Sequence, residues 1–141
     1  ASQAQDIRWL PFEEALSKAK ESERPVLVDV WAPWCGWCHK MKKEVYPELN
    51  SMLNKEFVLT RLNRDDHNTT YTFGGTTLNA FKLARTLKTR QVPAIVLLSP
   101  EGHYLLHLEG FIQAENLQPV LQYVASGAYR QQTYREFLAN N

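Results

Sequence analysis

The sequence predicts an α/β fold: a central mixed sheet, parallel in the middle and antiparallel at one edge, flanked by helices. Three observations predict it. Short, nearly all-apolar runs alternate with amphipathic helical periods through residue 98. Such runs are strands buried on both faces, as in a mostly parallel sheet. The remainder adds strand, tight turn, strand and helix, which supplies the antiparallel edge. At 141 residues, the whole chain 1–141 reads as one domain, long enough to bury a substantial core without staples.

In chain order, Phe12, Ala15, Leu16 and Ala19 recur at helical spacing after Pro11. Glu13 and Glu14 fall in the first turn, where the helix dipole favours acids. Ser22-Glu23-Arg24-Pro25 ends this helix, and Val26–Trp31 is the first buried strand. Ala32-Pro33-Trp34 breaks it. A helix is expected over 35–46, interrupted by Pro47, and a short second one over 48–54. Residues 57–62 form the second strand. Residues 63–77 are polar, hold Gly74-Gly75, and are expected to be a loop. A helix over 78–89 buries Ala80, Leu83, Ala84 and Leu87. Ala94–Leu98 is the third strand, Ser99-Pro100-Glu101-Gly102 a tight turn, and 104–108 the hairpin partner. Leu117, Val120, Leu121 and Val124 mark another helix, and 133–138 a last short one.

The 44% apolar and 22% charged fractions are those of a soluble globular protein. A net charge of +1 argues against a nucleic-acid partner, which needs a strong basic excess. No apolar run approaches the roughly 18 residues of a membrane span, and no signal peptide is visible. The start Ala1-Ser2-Gln3-Ala4, without Met, suits a processed export product and equally a trimmed chain.

Both cysteines lie in Trp34-Cys35-Gly36-Trp37-Cys38-His39-Lys40. C-x-x-C reads as a dithiol pair, and C-x-x-C-H as a c-type haem attachment site. In the dithiol reading, Cys35 opens a helix, where free amides and the dipole favour an anion. Its thiol should therefore titrate below the free value of about 8.5. Cys38, one turn further on, is spaced to attack a mixed disulfide at Cys35 and close a Cys35–Cys38 disulfide. In the haem reading, His39 is the proximal ligand and a distal one must come from Met41, Met52, His67, His103 or His107. The buried strand leading into the motif weighs against haem but leaves it open. Zinc would find three ligands crowded on one turn and no second pair at ligand spacing, so no metal is expected. His39, Lys40, Lys42 and Lys43 form a basic cluster, either a solvated helix face or a local field acting on the thiols.

Residues 28–38, V-D-V-W-A-P-W-C-G-W-C, resemble the active-site segment of the thioredoxin family, V-D-F-W-A-x-W-C-G-P-C. Arg61-Leu62-Asn63-Arg64-Asp65 is similar to the family's strand end K-L-N-x-D, with Arg in place of Lys. Val92-Pro93 precedes the third strand, where the family carries a cis-proline, and Gly110 matches the glycine of the substrate groove. The resemblance spans nearly the whole chain. It departs at Trp37, where the family has Pro, and in the longer connection holding Thr72-Phe73-Gly74-Gly75. Residues 9–15 and 125–129 resemble exported bacterial thioredoxin-like proteins of the sulfur-oxidation (SoxW) type. More distantly, they resemble the periplasmic thioredoxin domain of DsbD-type transmembrane reductases.

The resemblance implies a thioredoxin fold with an N-terminal helix and a C-terminal helical extension, working as a thiol–disulfide oxidoreductase. It implies that Cys35 attacks, Cys38 resolves and Asp29 accepts the proton of Cys38, with Arg61 as the charge partner of Asp29. Pro93 would present the backbone of Val92 to an extended substrate, with Trp34, Gly36, Trp37 and Gly110 around it. No cofactor is expected beyond the redox-active disulfide. The implied partners are disulfide-containing proteins and a membrane or soluble thiol electron donor, served by a monomer in the periplasm or, alternatively, the cytoplasm. Gly36 and Trp37 put no charge between the cysteines, so a reducing or intermediate potential is expected. A disulfide oxidase or isomerase of the same fold is the competing reading.

Overall fold

The computed structural model describes residues 6–140, so the Ala1-Ser2-Gln3-Ala4 start lies outside the described residues. A two-residue strand, β1 (Trp9–Leu10), precedes helix α1 (Phe12–Ser22). Helix α1 buries Phe12, Ala15 and Ala19 and ends where Glu23 turns left-handed, at φ 55°. Strand β2 (Val26–Trp31) leads into helix α2 (Gly36–Lys40). A π turn (Met41–Val45), a 3-10 turn (Tyr46–Leu49) and helix α3 (Asn50–Glu56) continue from it. Then come β3 (Val58–Asn63), a hairpin of β4 (Thr70–Phe73) and β5 (Thr76–Asn79), α4 (Ala80–Thr86), β6 (Ala94–Leu98) and β7 (Tyr104–Glu109). Helix α5 (Ala114–Ala125), a 3-10 turn (Ala128–Arg130) and α6 (Tyr134–Ala139) follow.

The main sheet has the order β1-β3-β2-β6-β7. Central strand β2 runs parallel to β3, pairing Asp29 with Arg61, and antiparallel to β6, pairing Asp29 with Ile95. Alternate residues of a strand point to opposite faces, and the two cores follow that alternation. Val26, Val28 and Val30 pack with Phe12, Ala15, Ala19, Leu83 and Leu87 from α1 and the α4 segment. Leu27, Leu59, Ile95 and Leu97 pack on the other face with Met41, Tyr46, Leu53, Leu117 and Leu121. Each fully buried Leu contributes about 1.5–3 kcal/mol of apolar burial, so both faces are anchored. Asp29 falls in phase with Leu27, on the face that carries the post-cysteine helices.

Three expectations need correction, and one strand was not expected. Residues 63–77 are not simply a loop, because they hold most of the β4–β5 hairpin. Gly74 and Gly75 both have positive φ, 60° and 78°, which a two-residue hairpin turn requires. Tyr71 and Phe73 set their rings edge-on to Phe12, each at 5.9 Å, and the Thr72 amide donates to Glu13 at 2.8 Å. Polar threonines masked the strand alternation. The next helix starts at Ala80 instead of Leu78, because Leu78 and Asn79 belong to β5 and the Asn79 side chain caps the helix by accepting from the Lys82 amide. The expected 35–46 helix is not uniformly α, and Pro47 does not interrupt it. The run widens into the π turn, then tightens into a 3-10 turn that holds Pro47 in its first positions, where its missing N–H costs nothing, and continues into α3. Strand β1 went unpredicted, since two residues show no period.

Candidate active site

Strand β2 delivers the site. Its buried residues carry the chain to Ala32, and Cys35 then takes the N-cap of α2 in extended conformation, φ −86° and ψ 105°. The first amides of a helix lack intrahelical partners, and a cap atom satisfies them. Here the cap atom is sulfur: the Cys38 amide donates to Cys35 Sγ at 3.1 Å. The same geometry favours a thiolate at Cys35 once it is reduced. Cys35 and Cys38 form a disulfide with Cα atoms 5.2 Å apart. That bond engages both sulfurs that haem attachment would need. His39, the would-be iron ligand, donates from Nε2 to the Pro33 carbonyl at 2.7 Å and sets its ring edge-on to Trp31.

Around the disulfide the rim is aromatic. Trp34 and Trp37 are 66% and 57% exposed. Trp34 donates from Nε1 to Asp65 at 2.6 Å, and the Arg64 guanidinium lies 5.7 Å from its ring. Trp37 packs on Phe111 at 5.1 Å, with Lys40 Nζ over both rings at 5.0 and 5.2 Å. Gly36 is exposed between the cysteines. Val92 packs on the cluster of Ala32, Cys35 and Cys38, and the Val92–Pro93 peptide is cis. The Gly110 amide donates to the Pro93 carbonyl at 2.7 Å. Gly110 has φ +91° with open space where a Cβ would stand, so its backbone angle, and not crowding, calls for glycine.

In the strand behind the cysteines, Asp29 is fully buried. Arg61 donates from Nε to Asp29 Oδ2 at 2.7 Å, and the Tyr46 hydroxyl donates to Oδ1 at 2.7 Å. Burial raises the pKa of Asp29 above the ordinary carboxylate value. The charge and hydrogen bond of Arg61, the hydrogen bond of Tyr46 and the charge of Lys42 pull part of the way back. Burial first, and then the Asp29 charge, push Tyr46 well above its usual range, so its hydroxyl stays protonated and remains a donor. Arg61 stacks on Trp31 at 4.1 Å and reaches Trp9 at 5.7 Å, while Trp9 meets Tyr46 edge-on at 5.4 Å. The basic cluster therefore divides. Lys40 belongs to the aromatic rim, and Lys42 acts on Asp29 through its charge.

Fold and site together define a thioredoxin-fold protein whose cysteine pair supports thiol–disulfide oxidoreductase chemistry. The chain belongs to the thioredoxin-like domain family, which matches residues 12–125. It is 42% identical over 55 residues to a thioredoxin of Synechocystis sp., covering 38% of this chain and 50% of that protein. It is 33% identical over 63 residues to spermatogenesis-associated protein 20 of Rattus norvegicus, covering 43% of this chain and 8% of that much longer protein. These matches thus span half or less of the curated relatives. Among solved structures, a Thermus thermophilus thioredoxin superposes with a TM-score of 0.68 at 24% identity, covering 92% of this chain and 98% of its own. A DsbH oxidoreductase superposes at 0.67 and 18% identity, covering 94% and 92%. At these identities the likeness is one of fold.

Sequence reasoning missed Tyr46, Trp9 and Phe111. Phe111 directly follows Gly110 and could have been found there. Tyr46 gave no signal because, directly before Pro47, it reads as the last residue of an interrupted helix.

Proposed function

We propose that this protein is a thiol–disulfide oxidoreductase that reduces disulfides in other proteins by cycling the Cys35–Cys38 pair. The observation that carries this reading is the disulfide at the opening of α2, with Cys35 sulfur capping the helix. In the reduced enzyme the Cys35 thiolate attacks a substrate disulfide. One S–S bond breaks, a mixed disulfide forms, and the first substrate sulfur leaves as thiolate. Cys38 passes its proton to Asp29 and attacks Cys35. The mixed disulfide breaks, the Cys35–Cys38 bond closes, and the second substrate sulfur leaves and is protonated. Two electrons pass to the substrate, and a membrane or soluble dithiol donor restores the enzyme. Trp34, Trp37 and Phe111 give an apolar approach. Val92, Pro93, Gly36 and Gly110 line the path of an extended segment.

The similarity of residues 9–15 and 125–129 to exported bacterial thioredoxin-like proteins supports substrates among exported proteins, with the periplasm as compartment.

The test is Cys38→Ser, which should accumulate mixed disulfides on Cys35 that a dithiol reductant dissolves, whereas Cys35→Ser traps none. Wild-type protein should also speed insulin reduction by dithiothreitol. Absence of adducts on Cys38→Ser sinks the reading. Oxidative refolding of a reduced protein without insulin reduction would favour the oxidase instead.

A further inference from the structure

Asp29 is held from two sides by two different elements. Strand β3 brings Arg61, whose Nε contacts Oδ2 and whose Nη2 is buried with no partner. The post-cysteine helix brings Tyr46, whose hydroxyl contacts Oδ1. The way Tyr46 gets there is informative. Val45 and Tyr46 are adjacent and both buried, at 3% and 0% exposure. In a regular α-helix, at about 100° per residue, the residue five on from buried Met41 would stand about 140° round from it, yet here the Tyr46 amide donates to the Met41 carbonyl. The π turn over Met41–Val45 holds back that rotation by about one residue, which swings Tyr46 inward beneath β2. Trp9 of β1 then braces the ring edge-on.

We propose that Tyr46 is a positioning residue for the Cys38 step: placed by the π turn, its hydroxyl fixes the Asp29 carboxylate from the helix side while Arg61 fixes it from the sheet. This rests on the role given to Asp29 under the proposed function. Each carboxylate oxygen has one donor and keeps a further lone pair, so the anion can still take the Cys38 proton. That proton moves from Cys38 sulfur to Asp29, and the electron pair left on sulfur forms the new bond to Cys35. The titratable and charged groups facing Asp29 are Arg61 from β3, Tyr46 from the 3-10 turn and Lys42 from the π turn, while its β6 neighbour Ile95 is apolar. The Tyr46 hydrogen bond pulls the Asp29 pKa down, so its loss leaves less of the basic form at a given pH.

The test is Tyr46→Phe, which keeps the ring and removes only the donor. The reduced protein is loaded at Cys35 with a chromogenic nitrothiobenzoate, and its release by Cys38 is followed across pH. The acid limb of the wild-type profile should move to higher pH by about half a unit in Tyr46→Phe, about threefold in rate on that limb, with the alkaline plateau unchanged. Asp29→Asn should flatten the limb, and adding Tyr46→Phe to it should change nothing more. Superimposable profiles for wild type and Tyr46→Phe would overturn the assignment, as would a Tyr46→Phe shift that persists without Asp29. As a second readout, ¹³C NMR titration of the Asp29 carboxyl should show a higher midpoint in Tyr46→Phe, and an unchanged midpoint also overturns it. The two levels separate cleanly. Release that does not require Cys38 brings down the proposed function and this inference with it. Release that requires Cys38 with an unmoved profile brings down the role of Tyr46 alone.

Discussion

Trp34 and Trp37 stand in solvent on one side of the cysteine pair, while Asp29 and Tyr46 on the strand side have no exposed surface. The rim residues meet in loose pairs: indole with carboxylate, indole with phenyl, ammonium over both rings. The strand-side groups interlock, since Arg61 touches Asp29, Trp31 and Trp9, and Trp9 in turn touches Tyr46. A rim substitution can therefore alter which partner docks with little effect on folding. A strand-side substitution changes the charge state of its neighbours, and so reaches stability and pH dependence together.

The largest effect that tests this division comes from the cysteines themselves. Cys35→Ser should bring insulin reduction down to the uncatalysed rate while leaving the urea unfolding midpoint of the dithiol form nearly unmoved. Arg61→Met comes next. It leaves Asp29 buried without its counter-charge, which is worth about 3–5 kcal/mol in broken buried pairs. The loss should be large at neutral pH and shrink in acid, where Asp29 takes a proton and needs no partner. Urea unfolding at two pH values reads this directly.

Asp29→Asn should slow Cys38 resolution about 10²-fold at neutral pH, the low end of what a positioned base contributes. It also tests the sign of the linkage. The folded-state pKa of Asp29 lies above its ordinary 3.8. Its contribution to stability is thus fully present below the unfolded value and is lost as pH rises through the raised folded value. Wild-type stability should decline across that window, and Asp29→Asn should show a flatter curve.

The smallest expected effect is at the rim. Trp37→Ala should change stability by no more than about 0.5 kcal/mol, as exposed positions generally do. It should raise KM for a disulfide-bonded protein a few-fold with kcat held. A kcat loss without a KM change would place Trp37 with the strand-side group.

Much of this organisation was legible in the sequence because it is periodic or local. The buried run Val26–Trp31 and the C-x-x-C after it fix where the cysteines emerge, and the acid inside that run marks itself by being out of place among valines. The hairpin was not legible, since Thr70, Thr72, Thr76 and Thr77 gave its strands the composition of a loop. Tyr46 was hidden for a different reason. Its orientation depends on a change of helical pitch, which no residue spacing announces, and its partner Asp29 lies 17 residues away in sequence.

The measurement that most directly tests the central claim is the reduction potential of the Cys35–Cys38 pair, by equilibration with a glutathione redox series. With Gly36 and Trp37 placing no charge between the cysteines, the account predicts a value between about −270 mV and about −180 mV, in the range from thioredoxin to protein disulfide isomerase. A value near about −120 mV, that of a strong oxidase, would contradict it.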